Sequence, residues 1–250
     1  TRSCDSILTG RGLPTLMITE LGDGVWQIPC GAGPSRWTRV NAYLVDDDGD
    51  LTLVDTGTPR DGGRIRAAIR ETGHEVADLE RILVTHYDID HVGGLASLLE
   101  SSGATCYVGA GDAGFLMGRE KPPAFHHKGL FQRLLGPVTT QPNADPELVA
   151  DEAEIGSFTA YHTPGHTPGH TAYVSEARNV AFVGDLVMEN HGELSPSPWA
   201  LSYDTEAVTE SIHELAEREP AVEILAMGHG TPFVRAGAVR LAELGERIEE

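Results

Sequence analysis

The chain has little lysine and no long hydrophobic run. Lys121 and Lys128 are its only lysines in 250 residues, and 38 acidic residues against 18 basic ones give a formal net charge of −20 at pH 7. Nucleic acids and anionic membrane surfaces bind cationic protein surfaces, so this charge disfavours both partners. No segment approaches the roughly 18 apolar residues of a membrane helix. The composition therefore argues against a nucleic-acid-binding protein and against a membrane protein.

Cysteine is equally scarce. Cys4, Cys30 and Cys106 are widely spaced, and no CxxC pair occurs. An odd number of isolated cysteines predicts neither a disulfide framework nor a thiolate zinc site. The first fourteen residues also lack the apolar segment of a signal peptide. We therefore expect a cytoplasmic protein.

Short apolar runs rich in β-branched residues alternate with segments of helical periodicity. With 40% hydrophobic and 22% charged residues, the chain has the usage of a globular protein. The runs predict strands at 16–19, 25–28, 42–45, 51–54, 82–84, 105–108, 172–174, 180–183 and 224–226. The periodic segments predict helices at 63–71, 95–100, 205–218 and 236–249. Strands come first in succession, then alternate with helices, and a strand-rich stretch follows around 155–183. This order favours two sheets with helices outside them.

Residues 109–150 are the irregular part of the chain. They contain five prolines and no clear periodicity. A segment of this length indicates either a lid over a functional site or a partly helical surface insertion. We expect a single domain over residues 1–250, with 1–14 as an N-terminal extension and 109–150 as the insertion or lid.

The strongest chemical signal is THYDIDHVGG at residues 85–94, directly after a predicted strand. It places His86, Asp88, Asp90 and His91 within six residues, and a loop leaving a strand can point all four inward. Imidazole and carboxylate groups without thiolate suit Zn²⁺, Fe or Mn²⁺. A polar turn without a metal is the alternative.

Three further elements carry histidine or aspartate at predicted turns or strand ends. Residues 162–170 read HTPGHTPGH, in which each Pro-Gly fixes a tight turn around His166. Asp185 follows one apolar run, and His229 follows another. Histidines that bind backbone carbonyls, and an aspartate that caps a helix, are the structural alternatives.

The order HxDxDH, PGH, GD, GHG resembles the motifs of the metallo-β-lactamase superfamily, and LVDTG at residues 53–57 resembles its early strand-and-turn signature. The resemblance spans residues 16–232. It implies an α+β fold, an αββα sandwich in which two mixed β-sheets lie face to face with helices on both outer sides. It also implies a di-metal centre in the cleft at the sheet edges.

The resemblance further implies a role for each matching residue. The first metal would be bound by His86 and His166, the second by Asp90, His91 and His229, with Asp185 as the bridging carboxylate. Asp55 resembles the acid that orients a ligand histidine. His170 is expected to brace the turn rather than bind metal.

Asp88 departs from the family motif HxHxDH, whose second histidine it replaces. A carboxylate is a harder, anionic donor, and it shifts metal preference from Zn²⁺ toward Mn²⁺ or Fe. We expect Asp88 to be a metal ligand and the cofactor to be two divalent ions, Zn²⁺ first, with Mn²⁺ or Fe as alternatives. A half-empty or mononuclear site is the other possibility.

The expected function is metal-dependent hydrolysis, in which a metal-bound hydroxide attacks the carbonyl of an ester, thioester or lactone. The motifs look more like those of glyoxalase II and the lactonases than those of β-lactam enzymes. Asp90 is the expected catalytic proton carrier, with Tyr203 or Tyr87 as alternatives. The expected partner is a small-molecule acyl substrate, and a homodimer is left open. The rival functions are an iron-dependent oxidoreductase or dioxygenase and a non-catalytic binding protein.

Overall fold

The computed structural model describes residues 18–32, 39–135, 140–143, 145–218 and 221–248. Strands are β1 Thr19–Gly22, β2 Val25–Gly31, β3 Arg39–Asp47, β4 Asp50–Val54, β5 Leu79–Val84, β6 Thr105–Gly109, β7 Glu147–Val149, β8 Ala153–Ile155, β9 Phe158–His162, β10 Thr171–Ser175, β11 Val180–Gly184, β12 Val187–Asn190, β13 Glu193–Pro196 and β14 Ile224–Met227. Helices are α1 Gly62–Glu71, α2 Ile89–Val92, α3 Leu95–Ser102, α4 Ala110–Leu116, α5 His127–Leu135, α6 Thr205–Arg218 and α7 Gly237–Ile248.

Two mixed sheets form the centre of the fold. The first has the order β1-β2-β3-β4-β5-β6-β7, and the second has the order β14-β11-β10-β9-β8. Strands β4 to β7 pair in parallel, as do β11 and β14, while the other neighbours in these sheets are antiparallel. Strands β12 and β13 form a separate hairpin.

Buried apolar side chains alternate between the two faces of each strand and form three apolar layers. On β10, Ala172 and Val174 pack in the cluster that contains residues of α6 and α7, whereas Tyr173 lies in the cluster between the sheets. On β4, Leu53 packs with residues of α1 and α3, and Val54 faces the other sheet. Successive side chains of a strand point to opposite faces, so each sheet buries one face against its partner and one against helices. The predicted α+β sandwich is confirmed.

The sequence predicts most of the regular elements within one to three residues at each end. The four predicted helices are α1, α3, α6 and α7. On α6, Val208, Ile212 and Leu215 are buried at helical spacing. The predicted strand at 16–19 lies partly outside the described residues, and each of the other eight overlaps an observed strand.

The segment 109–150 is partly helical, since α4 and α5 lie in it and β7 ends it. Residues 136–139 and 144 lie outside the described part, as do residues 1–14. The single-domain assignment and the lid role stay predictions. None of the helices in the described ranges is long and apolar enough to cross a membrane.

The two sheets are tied together where β5 and β14 end. The hydroxyl of Tyr173 donates to the carbonyl of Val84 (3.0 Å), and that of Tyr43 donates to the carbonyl of Met227 (2.6 Å). Both tyrosines are fully or almost fully buried between the sheets. They fix the carboxyl ends of both strands, from which the polar loops depart.

Candidate metal centre

All seven predicted ligand residues converge at this edge. His86 follows β5, Asp185 follows β11, His229 follows β14, and His166 lies in the turn between β9 and β10. Because carboxyl ends of parallel strands open at the same sheet edge, loops that are distant in sequence meet there. The short helix α2 adds Asp90 and His91, and its N-cap residue is Asp88.

The first group of ligands is His86, Asp88 and His166, whose ligand atoms lie within 4.8 Å of one another. Asp88 Oδ2 is 3.1 Å from His166 Nε2 and 3.7 Å from His86 Nε2. All three residues are buried.

The second group is Asp90, His91 and His229, which meets the same distance criterion. Asp185 lies between the groups. Its Oδ1 is 3.4 Å from His91 Nε2, and its Oδ2 is 3.4 Å from His229 Nε2 and 3.7 Å from His166 Nε2. This is the position that a bridging carboxylate needs.

Four histidines use Nδ1 to hold their rings and turn Nε2 toward the centre. The Nδ1 partners are Thr85 Oγ1 for His86, Asp55 Oδ2 for His91, Ser197 Oγ for His166 and the Arg39 carbonyl for His229, at 2.7–2.9 Å. A partner at Nδ1 fixes the tautomer that leaves Nε2 free to bind a metal.

Asp55 supports two of these histidines, directly and through Thr85. Its carboxylate accepts from the Thr85 backbone N–H (2.8 Å) and hydroxyl (2.7 Å), and it lies 2.7 Å from His91 Nδ1. Because the Thr85 hydroxyl donates to Asp55, its oxygen is available to accept from His86 Nδ1–H. The structure therefore places Asp55 where the family resemblance implied a ligand-orienting acid.

The charges of the two groups differ. Burial lowers the pKa of His86, and the neighbouring histidines His91 and His166 add to this effect. Burial also opposes charge on His229, but the Asp185 and Asp90 carboxylates outweigh it and raise the pKa of His229 to about 10. At His91, burial is likewise outweighed by Asp185 and Asp55, which raise its pKa. In the metal-free protein, protons on the second group balance the carboxylates, and a cation would replace them.

Unpartnered atoms show that the centre fits a cation. His86 Nε2, Asp88 Oδ1, His91 Nε2 and Asp185 Oδ1 are buried and accept or donate no hydrogen bond within the described residues. Buried polar atoms are normally paired, so four orphans in one cluster need an explanation. Gly228 adds a second observation, since a Cβ there would lie 2.2 Å from Asp185 Oδ1. The chain keeps this space open beside the ligand atoms.

Lys128 on α5 belongs to the centre, although its sequence context did not predict it. Its side chain is 3% exposed, and its Nζ lies 2.9 Å from Asp88 Oδ2 and from His166 Nε2. Burial opposes charge on Asp88, but the ammonium and His166 hold its pKa at about 2. The only sequence signal was that both lysines of the chain fall in the irregular segment 109–150.

Asp112 was also not predicted, and it holds two loops of the centre together through hydrogen bonds. It is fully buried and accepts from the backbone N–H of Tyr87 (3.0 Å) and of Gly169 (2.7 Å) and from the Thr167 hydroxyl (2.6 Å). These bonds connect the HxDxDH loop to the PGH turn. In that turn, His170 accepts from the Asp185 backbone N–H at Nε2 (3.2 Å), so it points to a loop rather than to a metal.

A cavity of about 530 Å³ opens onto the centre. Its polar lining includes Asp88, Asp90, Lys128, His166, Asp185 and His229, and its apolar lining is Ile89, Phe131, Pro198, Ala200 and Leu201. Of the aromatic residues in the segment 109–150, Phe131 lines this cavity. Phe125 is fully exposed, and Phe115 lines a neighbouring pocket. The hydroxyls of Tyr87 and Tyr203 bind each other at 2.7 Å, whereas Asp90 lines the cavity.

Comparison with known proteins agrees with this geometry. A family model described as the metallo-beta-lactamase superfamily matches residues 35–229. The chain belongs to the metallo-β-lactamase superfamily. Superfamily membership supports an enzyme, and a metal-dependent hydrolase as its general class.

Individual proteins are similar to the chain over most of their length. The chain is 29% identical to YobT of Bacillus subtilis (strain 168), over 84% of this chain and 91% of that protein. It is 28% identical to YflN of the same organism, named a probable metallo-hydrolase, over 83% and 87%. The crystal structure of TTHA1623 in a di-iron-bound form has a TM-score of 0.66 and 26% identity, covering 88% of this chain and 97% of that one.

Proposed function

We propose that the protein is a metal-dependent hydrolase of a neutral ester, thioester or lactone. The observation that carries the proposal is the set of unpartnered Nε2 and carboxylate atoms at the base of an apolar-walled cavity. The probable metallo-hydrolase YflN and the di-iron-bound TTHA1623 are similar chains, and they support a metal-dependent reaction.

The second group would hold a divalent ion through Asp90, His91 and His229, with Asp185 beside it. The first group, His86, Asp88 and His166, is another cluster of candidate ligand atoms, which the Lys128 ammonium contacts at Asp88 and His166. A divalent ion bound in the second group acidifies a water molecule to make it nucleophilic and polarises a carbonyl oxygen. Zn²⁺ suits imidazole and carboxylate donors, and Mn²⁺ and Fe suit the same set.

Asp90 would carry the proton. Its side chain is 32% exposed, lines the cavity and lies with Oδ2 3.4 Å from His229 Nε2. One oxygen is thus directed to the ligand group while the residue remains open to the cavity. A carboxylate so placed can accept a proton as the tetrahedral centre forms and return it to the leaving group.

The lining of the cavity supports an uncharged acyl substrate. Ile89, Phe131 and Leu201 offer apolar surface to an acyl chain. The net charge of −20 repels strongly anionic substrates, whereas a neutral ester does not oppose that field. We further propose a cytoplasmic protein whose partner is this small molecule, not a nucleic acid or a membrane.

The test is hydrolysis by metal-depleted protein to which Zn²⁺, Mn²⁺ or Fe²⁺ is returned. Neutral p-nitrophenyl esters, thioesters and lactones are offered in parallel. We expect turnover with at least one class, lost on chelation and restored by metal. Asp90→Asn should lower kcat/KM by about 10²- to 10⁴-fold, the range for loss of a general acid–base.

Asp48→Asn is the matched control, because the Asp48 side chain is fully exposed and its φ of 56° suits asparagine. It should leave kcat/KM unchanged. Oxygen uptake by the iron-loaded protein without hydrolysis would replace the proposal with an iron-dependent dioxygenase. Metal binding without any turnover would leave a binding protein.

A further inference from the structure

Lys128 lies at the position where the first metal ion would bind. Its Nζ is 2.9 Å from Asp88 Oδ2, 2.9 Å from His166 Nε2 and 2.9 Å from the His166 carbonyl oxygen. An ammonium has three hydrogens and no acceptor, so these three contacts satisfy it completely. The side chain is 3% exposed. The ammonium is therefore held by a built site rather than resting on a surface.

Two of those contacts use the atoms that a first metal would need. The first group consists of His86, Asp88 and His166, and the lysine binds the last two. His166 Nδ1 already bonds Ser197 Oγ at 2.8 Å, so Nε2 offers a single lone pair. A lone pair that accepts an ammonium N–H cannot bind a metal at the same time. His86 Nε2 is left unpartnered.

The second group is free of this competition. Asp90, His91 and His229 are close enough to one another to share an ion, and Asp185 lies 3.4 Å from both His91 Nε2 and His229 Nε2. Among the charged residues and candidate metal ligands in the described part of the chain, the Lys128 ammonium contacts only Asp88 and His166. The two halves of the centre therefore differ in what they can accept.

The charges explain why the chain tolerates Asp88. Replacing the second histidine of HxHxDH by aspartate adds one negative charge, and Lys128 supplies one positive charge 2.9 Å away. α5 directs the lysine inward, since Lys128 and Gln132 are one helical turn apart and both buried. Asp88 and Lys128 thus form an ion pair in place of a metal and its histidine.

We propose that the protein binds one divalent ion, in the second group, and that the Lys128 ammonium permanently occupies the first position. The inference deepens the proposed function and rests on it for the presence of a metal. A dication entering the first group would face a cation at contact distance, which should weaken its binding about 100-fold or more.

The test counts bound metal rather than turnover. The wild-type protein, Lys128→Met and Lys121→Met are loaded with excess Zn²⁺, freed of unbound metal by gel filtration and analysed by elemental mass spectrometry and calorimetric titration. Met is an unbranched neutral replacement, and Lys121, the only other lysine, is exposed. We expect one tight equivalent for wild type and Lys121→Met, and a second equivalent bound at least about 100-fold more tightly in Lys128→Met than in wild type.

Electron paramagnetic resonance of the Mn²⁺-loaded wild type gives a second readout that needs no variant. Isolated ions support the proposal, whereas an exchange-coupled pair overturns it. Two equivalents of similar affinity in wild type, unchanged in Lys128→Met, would also overturn it and leave the hydrolase function standing. One bound equivalent without hydrolysis would support the single-ion proposal and overturn the hydrolase function. No bound metal would refute both.

Discussion

Replacing Asp55 with asparagine should weaken metal binding by reversing a histidine tautomer. The Asp55 carboxylate accepts from the fixed Thr85 backbone N–H at Oδ1 and faces His91 Nδ1 with Oδ2. An asparagine that keeps its oxygen on that backbone N–H turns its NH₂ group toward His91. His91 would then accept at Nδ1 and carry its hydrogen on Nε2, the atom that should bind the metal.

The expected loss follows from this geometry. Removing a partner that orients a ligand typically lowers metal affinity 10- to 100-fold, which corresponds to about 1.4–2.8 kcal/mol. Losing a charge-assisted hydrogen bond costs a further ~1.5–3 kcal/mol of unfolding free energy. Asp55→Asn should therefore lower both quantities, and the affinity loss should persist after correction for stability.

Competition with a chromophoric chelator measures the affinity, and urea unfolding of the metal-free protein measures the stability. Asp61→Asn is the matched control, because Asp61 is 4% exposed and accepts from the backbone N–H groups of Gly31 and Thr58 at 2.9 Å. It should lose stability and keep metal affinity. An Asp55→Asn protein that binds metal as tightly as wild type would refute the tautomer argument.

Three further predictions address the same centre. Gly228→Ala should abolish metal uptake while the protein stays folded, because the added Cβ would lie 2.2 Å from Asp185 Oδ1 and 2.5 Å from His91 Cε1. Elemental analysis measures the metal and circular dichroism checks the fold. Uptake of a full equivalent would contradict this prediction. Burial lowers the pKa of His229, but the neighbouring Asp185 and Asp90 carboxylates outweigh this effect and raise the pKa to about 10 in the metal-free protein. For each proton that the metal displaces, metal affinity should therefore rise about tenfold per pH unit up to about pH 10. The stability that protonated His229 gives the metal-free protein is fully present below about pH 6.5 and is lost as the pH rises through about 10. A flat affinity between pH 7 and 9 would exclude that proton release. Asp112→Ala should lower the free energy of unfolding, measured in urea, by about 3 kcal/mol. The substitution leaves two buried backbone N–H groups and a hydroxyl without their hydrogen-bond acceptor. A change below about 0.5 kcal/mol would show that water replaces the carboxylate.

The fold was largely predictable because strand and helix periodicities dominate it. Apolar runs such as 180–183 are buried strands, and the spacing of Val208, Ile212 and Leu215 marks α6. The hairpin of β12 and β13 escaped prediction, since its residues alternate weakly and it joins neither large sheet. β12 contacts β14, and β13 contacts the helices α6 and α7.

The ligand cluster was predictable for a different reason. Each ligand sits in a short motif directly after a strand or in a Pro-Gly turn, so local sequence marks it. Lys128 has no such mark. It reaches the centre because α5 lines the cavity, and only the folded structure brings residue 128 to residues 88 and 166. The same holds for Asp112, whose three donors come from two distant loops.

We expect a divalent ion to bind among Asp90, His91, His229 and Asp185 at the cavity. An anomalous difference map from crystals grown with Zn²⁺ or Mn²⁺, with data collected at the metal edge, locates such an ion. We expect a single strong peak within bonding distance of those side chains, with Lys128 still bound to Asp88. A map without a peak there, from a crystal that holds the metal in its solvent, would contradict it.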